Sequence, residues 1–545
     1  MTRTQRNQTK NRAARTVCAA GLLAVLAGVA PGQTFQRFNG TDATERAYDI
    51  EETFGGGYVT AGERDGMFDP AGGIDPSDML VTRYDVDGKP IWSTQIGGFA
   101  RDVAYSVHQA SNGDFIVAGM TESVGPILGL VISRLDPTGI VLWTHAYPGD
   151  VFFELFNPGP DGTRPQVAVR ESRETGDIIA VTNVAPTAGG QLGEYVRTTA
   201  AGIPLVEVTY SIPALGPLTE MGFSDLKELP NGDVVITGFI NTRPPDPLGL
   251  PPDFEVLAMR IAPGGAPIWA NATGELLPDN PAQEVGYGID VGPNGTPLVI
   301  GASTDAGGPL LATSHLWLDA GGVLLFNNQV DGMVPAYAAT RFNDNLDVAT
   351  GAQDFFLPGP GAHGTAAGIS FDAVGSPLWL YTYGPNLNPR DRATGVTPVR
   401  FGESVCGWAF SAWEDYPLAI GGDDQHLIKV NDLGSSGCCE DRIPMDVREP
   451  VLQQLPLQFQ LIGDEQFEPW GNWARVGLVD VIKCYHPTCT PCVVDFDGNG
   501  LLNVDDIDLF VMFFTSSDAR ADLDCNGLLN VDDIDRFVAL FLGGC

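Results

Sequence analysis

Two twelve-residue stretches near the end of the chain combine residue types and spacing that suit a hard divalent cation. Each has oxygen-bearing side chains at positions 1, 3 and 5, a glycine at position 6 and an aspartate at position 12. Calcium takes about six to eight oxygen ligands, one of them the backbone carbonyl of position 7. The predicted ligands of two calcium ions are therefore Asp495, Asp497, Asn499, Leu501 and Asp506, and Asp522, Asp524, Asn526, Leu528 and Asp533.

An apolar stripe follows each loop and repeats after 27 residues. The spacing i, i+3, i+4, i+7 predicts a helix with one buried side. The stripes are Ile507, Phe510, Val511 and Phe514, then Ile534, Phe537, Val538 and Phe541.

Two calcium loops with exit helices resemble a dockerin, and Cys492 and the final Gly-Gly-Cys545 resemble the GC-type dockerin of exported bacterial proteins. The resemblance covers about residues 490–545. It implies a small α-helical, calcium-dependent module over 491–545, with a cohesin-like or other cell-surface protein as partner. It also implies a disulfide between Cys492 and Cys545.

Residues 1–33 carry five basic residues and no acid, ahead of an apolar run from Val17 to Ala30. This order is typical of a signal peptide. The apolar run is too short to favour a membrane-spanning helix. The sequence thus predicts a secreted or surface-displayed mature chain without a membrane span.

The chain is strongly acidic, with a net charge of −38. Without residues 1–33 there remain 25 basic and 68 acidic residues, a net charge of −43. Such a balance disfavours a nucleic-acid or anionic-membrane partner, since phosphate binding needs a basic surface.

Eight cysteines follow the signal, all from Cys406 onward. In an exported chain they favour disulfides. A zinc site among Cys484, Cys489 and Cys492 is the weaker interpretation, because the spacing is not that of a paired Cys-x-x-Cys site.

Residues 34–440 are built from a repeated unit of four short apolar runs separated by turns, which predicts antiparallel strands. A turn glycine before the fourth run recurs at intervals of 51 to 63 residues, in most copies followed four residues later by an aromatic residue. The glycines are Gly88, Gly139, Gly202, Gly265, Gly322, Gly375 and Gly434. Repeated four-stranded sheets predict a mainly β fold with about seven propeller blades. Six or eight blades remain open, since two units are degenerate.

The ends of the repeat predict how the ring closes. The last unit lacks an aromatic strand after Gly434, whereas residues 34–40 parallel the strand that begins near Trp92. We expect this N-terminal strand to complete the last blade. Residues 441–490 are expected to form a strand pair or a cover on that blade, ending in a stiff, cysteine-rich linker. The repeat resembles those of propellers in bacterial surface and secreted proteins.

The other residues that could carry chemistry are better explained by structural roles. The six histidines are scattered, and no nucleophile elbow, phosphate loop or His-Glu-x-x-His occurs, so no catalytic residue or organic cofactor is predicted. The recurrent turn acids Asp85, Asp136, Asp319 and Asp372 favour local turn hydrogen bonds. The recurrent tryptophans Trp92, Trp143, Trp269 and Trp379 favour packing between blades over sugar stacking or the docking motif of quinoprotein propellers.

Two function hypotheses remain. The first is a non-enzymatic binding or scaffold propeller attached to a partner through the dockerin. The second is an extracellular polysaccharide lyase or glycosidase with its site in the central bore, which would need acids, or a Tyr/His pair, facing one pocket. Convergence of Asp, Glu, His and Arg from several units at the bore would favour the second.

Overall fold

The structure is a computed structural model of the chain, and it describes most of residues 34–482 together with parts of 504–541. The described residues are 34–41, 43–65, 77–123, 128–151, 167–184, 191–213, 220–243, 253–275, 283–292, 294–304, 311–331, 334–342, 346–355, 363–372, 375–383, 392–401, 404–414, 423–437, 440–442, 446–448, 452–462, 468–469, 472–476, 479–482, 504–515, 531, 534, 537–538 and 541.

The described strands form seven five-stranded sheets. Strand β1 (Phe35–Gly40) comes first. Sheet 1 takes β2 (Glu45–Glu52), β3 (Tyr58–Asp65), β4 (Ser77–Tyr84) and β5 (Pro90–Gly97). Sheet 2 takes β6 (Asp102–Gln109), β7 (Phe115–Thr121), β8 (Leu128–Leu135) and β9 (Val141–Val151). Sheet 3 takes β10 (Ala168–Glu171), β11 (Ile178–Val184), β12 (Leu192–Thr198) and β13 (Pro204–Ser211).

The remaining four sheets continue in chain order. Sheet 4 takes β14 (Met221–Glu228), β15 (Val234–Asn241), β16 (Phe254–Ile261) and β17 (Pro267–Gly274). Sheet 5 takes β18 (Gln283–Val291), β19 (Pro297–Thr304), β20 (Leu311–Leu318) and β21 (Leu324–Asp331). Sheet 6 takes β22 (Val334–Phe342), β23 (Leu346–Phe355), β24 (His363–Asp372) and β25 (Pro377–Tyr383). Sheet 7 takes β26 (Arg392–Phe401), β27 (Ser404–Glu414), β28 (Asp424–Asn431) and β1.

The sheets form a closed ring. The inner strands β2, β6, β10, β14, β18, β22 and β26 contact one another in that order, and β26 contacts β2. Middle strands such as β7 and β11 are buried along their whole length, because neighbouring sheets cover both of their faces. The predicted mainly β fold and β-propeller are confirmed. The N-terminal strand also lies where the sequence places it, since β1 pairs antiparallel with β28.

The predicted four-stranded blade is wrong, because every sheet carries a fifth, outermost strand from residues 440–482. We call this segment the outer belt. Its strands are β29 (Glu440–Arg442) on sheet 6, β30 (Asp446–Arg448) on sheet 5, β31 (Gln453–Pro456) on sheet 4, β32 (Gln460–Ile462) on sheet 3, β33 (Glu468–Pro469) on sheet 2, β34 (Asn472–Val476) on sheet 1 and β35 (Val479–Ile482) on sheet 7. The belt thus passes once around the ring, against the chain order of the sheets.

The expected strand pair or cover on the last blade is therefore wrong as well. The belt strands have two to five residues and occur once each, so they carry no periodic signal. The belt also joins sheets to one another. The Gln454 side chain donates to the Gly322 carbonyl at 3.0 Å and to Thr273 Oγ1 at 3.3 Å, and it accepts from the Leu324 backbone at 2.8 Å. Thr273 belongs to sheet 4, whereas Leu324 belongs to sheet 5.

The seven turn glycines all adopt positive φ, between 76° and 84°. In six of these turns a side chain three residues earlier accepts backbone hydrogens within the turn; Asp85 Oδ1, for example, accepts from Asp87 and Lys89 at 2.9 Å. The residues in this position are Asp85, Asp136, Thr199, Asp319, Asp372 and Asn431. The turn interpretation of the recurrent acids is thus confirmed.

Each turn glycine also receives a side chain from the preceding sheet. A Cβ on Gly322 would stand 2.5 Å from the Trp269 ring, and one on Gly434 would stand 2.5 Å from the Trp379 ring. At the turn of Gly139, Trp92 Nε1 donates to the Pro137 carbonyl at 3.2 Å. The corresponding contacts are Phe35 on Gly88, Trp143 on Gly202, Val208 on Gly265 and Phe326 on Gly375. The aromatic repeat packs one sheet on the next, as predicted.

Helix α1 (Val504–Thr515) follows the first predicted calcium loop. Phe510 stacks on Phe537 with ring centroids 4.1 Å apart, so equivalent positions of the two sequence copies meet. The predicted buried side is partly wrong. Ile507 and Val511 are exposed, whereas Phe513 is buried, because the contact runs through the phenylalanine rings. In the described residues, no helix has the length and apolar character that crossing a membrane requires.

We predict that Gly322→Ala destabilises the ring more than Gly176→Ala. Both glycines have positive φ, which costs an alanine about 1–2 kcal/mol. A Cβ at Gly176 meets open space, whereas one at Gly322 meets Trp269, and overpacking adds about 1–3 kcal/mol. Urea unfolding followed by tryptophan fluorescence measures the difference. Equal losses for the two variants would show that the glycine–indole contact does not limit the turn.

We also predict that Gln454→Ala lowers the free energy of unfolding by about 1–2 kcal/mol, because it removes the hydrogen bonds that link sheets 4 and 5 through the belt. Gln453→Ala is the matched control, since Gln453 lies on the same belt strand with an exposed side chain. The same unfolding measurement applies. A loss in the control as large as in Gln454→Ala would contradict a specific role for Gln454.

Candidate functional site

The predicted calcium ligands lie almost wholly outside the described residues. Asp506 is the exception, since its backbone is part of α1. The other nine, and the cysteines of the expected disulfide, Cys492 and Cys545, fall in stretches that the structure does not describe. The site that the described residues do build is the bore, the central opening surrounded by the seven inner strands.

A β-bulge that recurs in the inner strands sets the direction of side chains in the bore. The pairing register shifts by one residue in six of them, for example between Ala47 and Asp49 and between Phe223 and Asp225. A bulge of this kind re-aims the side chains that follow it. In this way the bulged strands present Asp49, Glu51, Ser106, His108, Asp225, Lys227 and Asp290 to one region, and the regular strand β10 adds Arg170.

Charges from opposite sides of the ring meet there. Arg170 of sheet 3 interacts electrostatically with Asp49 and Glu51 of sheet 1 and with Asp225 of sheet 4. The direct pairs join His108 Nδ1 to Glu51 Oε2 at 3.0 Å, Lys227 Nζ to Asp290 Oδ1 at 3.6 Å and Arg170 Nη2 to Asp225 Oδ1 at 3.9 Å. These side chains remain 16–28% exposed, so water reaches them. The bore is a wet network of mutually neutralising charges.

The acids of this network are also held by main-chain hydrogens of the adjoining sheet. Asp49 Oδ2 accepts from the Val107 backbone at 2.9 Å. Asp225 Oδ2 accepts from Ile289 at 3.0 Å, and Asp290 Oδ2 accepts from Arg341 at 2.6 Å. Neighbouring inner strands belong to different sheets, so these side-chain contacts replace a backbone ladder between them.

Hydroxyl groups make the same connection at two further junctions. Ser106 Oγ accepts from the Val169 backbone at 3.2 Å, and Thr397 Oγ1 accepts from the Glu52 backbone at 3.0 Å. An acid and a hydroxyl serve equally well at this position because only an acceptor is needed. The bore acids are thus part of the machinery that closes the ring.

The protonation of the bore acids follows from these surroundings. Burial raises the pKa of Asp49 and of Asp225 above the ordinary value. Burial would also raise the pKa of Glu51, but His108, Arg170 and Lys227 outweigh it and hold that pKa below the ordinary value. A raised and a lowered carboxyl side by side suit acid–base chemistry. Here, however, Asp49 accepts a main-chain hydrogen on each oxygen, from Ile50 on one and from Val107 on the other, so both oxygens already serve the fold.

A second cluster surrounds the buried Glu63 between sheets 1, 2 and 7. Its carboxylate accepts from Tyr48, from Ser77 at 2.8 Å and from Arg46 at 3.0 Å. Burial would raise the pKa of Glu63, but Arg101 and Arg46 outweigh it and lower that pKa. Burial raises the pKa of Tyr48 well above the ordinary value, so its hydroxyl stays protonated and is no nucleophile. The cluster therefore stabilises the junction.

Wherever their side chains are described, the histidines have structural packing roles, except for His108 in the bore. His315 is buried against Trp317 and Phe371, and burial lowers its pKa to about 3. His145 stacks on Trp143, and His426 stacks on Phe38. Within the described residues, no group of three or more His, Cys, Asp or Glu side chains is placed to hold a metal ion.

The charged positions of the bore were not predicted, although the sequence carries a signal for them. Glu51, His108, Lys227 and Asp290 each stand five residues before a glycine of positive φ in the first hairpin of their sheet. Aligning the units on that glycine would have placed four polar residues in one row. The turn glycine before the fourth strand, on which the units were aligned, lies too far along the chain to reveal this row.

Comparisons with known proteins show distant likeness only. No protein-family model matches the chain, and no curated protein matches it. A protein of unknown function from Dyadobacter fermentans is similar in structure at 15% identity and a TM-score of 0.37, over 63% of this chain and 99% of that one. The polysaccharide lyase Uly1 matches at 13% identity and 0.44, over 75% and 94%. The Fusarium graminearum α-L-arabinofuranosidase Arb93A matches at 11% and 0.33, over 60% and 92%. Likeness this distant carries no activity to the chain.

We predict that Glu51→Gln lowers the free energy of unfolding at pH 7 and that this loss disappears in acid. Because the folded pKa of Glu51 is lowered, its contribution is present above the unfolded pKa of about 4.3 and is lost as the pH falls through the folded value. Urea unfolding from pH 7 to 3 measures this. Asp87→Asn, which removes one exposed charge, is the control. A loss independent of pH would contradict the ionic role.

Proposed function

We propose that this chain is an exported, non-enzymatic binding or scaffold propeller of seven blades, one to each five-stranded sheet, attached to a partner through its calcium-dependent C-terminal module. The observation that carries the proposal is the use of the bore acids. Asp49, Asp225 and Asp290 accept main-chain hydrogens from the adjoining sheet, so the residues best suited to catalysis hold the ring together instead.

The course of the outer belt supports an attachment role for the C-terminal module. The belt ends with β35 on β1, at the sheet that closes the ring. A module that follows residue 482 is thus joined to the propeller by strands on all seven sheets. The Phe510–Phe537 stack supports two sequence copies that pack as one unit. Two calcium ions would fit the ligand order of both copies. A cohesin-like or other cell-surface protein is the expected partner.

The second candidate is an extracellular polysaccharide-active enzyme. It is favoured by the convergence of Glu51, His108, Arg170 and Lys227 from four sheets in a water-accessible bore. Among these, Glu51 is a carboxylate whose side chain retains 26% exposure. A lyase or glycosidase acting there would lose turnover in Glu51→Gln. The main-chain bonds of the neighbouring acids make this the weaker candidate.

Calcium titration of the full chain tests the first candidate. We predict two binding events by calorimetry in the intact chain, one in Asp506→Ala, one in Asp533→Ala and none in the double variant, because each substitution removes the position-12 ligand. Asp505→Ala and Asp532→Ala are matched controls, since they remove the same charge at position 11. Two binding events retained in the double variant would contradict the predicted loops.

The attachment role is tested with the same variants on cells of the producing strain. The labelled chain should bind in calcium and dissociate in chelator, and the Asp506/Asp533 double variant should fail to bind while the position-11 controls bind. Cell binding by the double variant would assign attachment to the propeller. Incubation with neutral and uronate-containing polysaccharides tests the second candidate. Release of new chain ends that Glu51→Gln abolishes would establish the enzyme and overturn the non-enzymatic proposal.

A further inference from the structure

Two buried glutamates face each other where sheet 4 meets sheet 5. Glu255 is the second residue of β16, and Glu284 is the second residue of β18; they are 2% and 1% exposed. A Cβ on Gly274, the last residue of β17, would stand 1.5 Å from Glu255 Oε2 and 2.9 Å from Glu284 Oε2. The two carboxyl oxygens therefore converge on one point, and a glycine leaves room for them.

Within the described residues, this pair has little to neutralise it. Neither oxygen of Glu255 has a hydrogen-bond partner, and neither does Glu284 Oε2. Glu284 Oε1 accepts only from the Glu275 backbone, at 3.3 Å. The charged groups that interact with the pair are Asp253 and Glu275, which are both acidic, and Arg243 is paired with Asp253 at 3.5 Å. Strands β17, β19 and β31, which pack here, contain no charged residue.

The repeat supplies two comparable junctions. Asp78 lies against Gly97 at the junction of sheets 1 and 2, where Asp102 interacts with it electrostatically, and Asp424 lies against Gly40 at the junction of sheets 7 and 1. Asp102 Oδ2 accepts from the Gly98 backbone at 2.7 Å and from Ser123 at 2.9 Å.

Glu45, at the start of the next inner strand β2, is paired with Arg64 Nε at 2.8 Å. The junction between sheets 4 and 5 has neither kind of support for Glu255. An ionised pair there would leave two negative charges buried and close together. Burial and the neighbouring carboxyl both disfavour the ionised form of each member, so the pair retains its protons at neutral pH.

A cation is the alternative to a proton at such a site. Calcium needs about six to eight oxygens, and the described residues here offer no third side chain placed for a metal. We therefore propose that Glu255 and Glu284 both carry a proton at neutral pH, and that removal of these protons in alkaline solution weakens the junction between sheets 4 and 5. The pair is a pH-sensitive latch in the ring.

The direction of the effect follows from the protonation of the pair. Burial, with Asp253 and Glu275 nearby, raises the pKa of Glu255 to about 8, and burial beside Glu255 raises that of Glu284 to about 9. Unfolded glutamate titrates near pH 4.3, at about its ordinary pKa. The folded state thus binds protons more tightly. Its stability is highest below the unfolded pKa and declines as the pH rises towards about 9.

Urea unfolding of the full chain at pH 5 to 10 tests the latch, at saturating calcium. All nine tryptophans lie between residues 92 and 473, so their fluorescence reports the propeller and its belt. The intact chain should lose stability from pH 5 to 9, whereas Glu284→Gln and Glu255→Gln should lose much less and exceed it at pH 9. Glu63→Gln is the control: Glu63 is buried with a lowered pKa and stays ionised throughout this range, so its loss should destabilise the chain by a similar amount at every pH from 5 to 10.

Infrared spectroscopy provides an independent measurement of these two protons. The intact chain at pH 7 should show the carbonyl stretch of a protonated carboxylic acid, reduced in Glu284→Gln and unchanged in Glu63→Gln. Three results would overturn the proposal. They are variants whose stability follows the pH as that of the intact chain does, an infrared band unaffected by Glu284→Gln, and a pH dependence of the intact chain that is present in chelator but absent at saturating calcium, which would assign the site to an ion.

Discussion

Closure of the ring depends on side chains that cross each junction between sheets. Inner strands of neighbouring sheets share no backbone ladder, so the hydrogen bonds that hold each sheet together do not extend to the next sheet. Two contacts replace them. At the turns, a ring such as Trp269 lies on a glycine of the next sheet, and at the bore an acceptor such as Asp225 takes a main-chain hydrogen of the next inner strand. Residue identity is therefore most constrained at these junctions.

This constraint explains which features the sequence could predict. The turn glycine and the aromatic residue recur because every junction needs both, and their spacing reveals the repeat. The missing strand after Gly434 revealed the closure by β1. The belt left no such signal, because its strands are short and Gln454 meets partners more than 100 residues earlier in the chain. The bore acids were missed because their direction depends on a bulge that composition does not show.

The acidic composition of the chain extends into its interior, where it is accommodated in different ways. Glu63 is surrounded by arginines, and the bore acids are satisfied by main-chain hydrogens. Each solution places an acceptor where one is needed, so an acid in this propeller is not by itself a sign of catalysis. What distinguishes Glu255 is the absence of either kind of partner among the described residues. A buried carboxyl is informative only after its neighbours have been named.

The belt ends on the strand that closes the ring. Strand β1 is paired with β28 on one side and with β35 on the other, so the first strand of the propeller and the last strand of the belt hold each other in sheet 7. Residue 482 then leaves from that sheet. Because the preceding belt strands lie on the other six sheets, a chain that continues from residue 482 is anchored to the whole ring rather than to one edge. Sheet 7, which combines strands from both ends of the propeller sequence, is thus also the sheet on which the described belt ends.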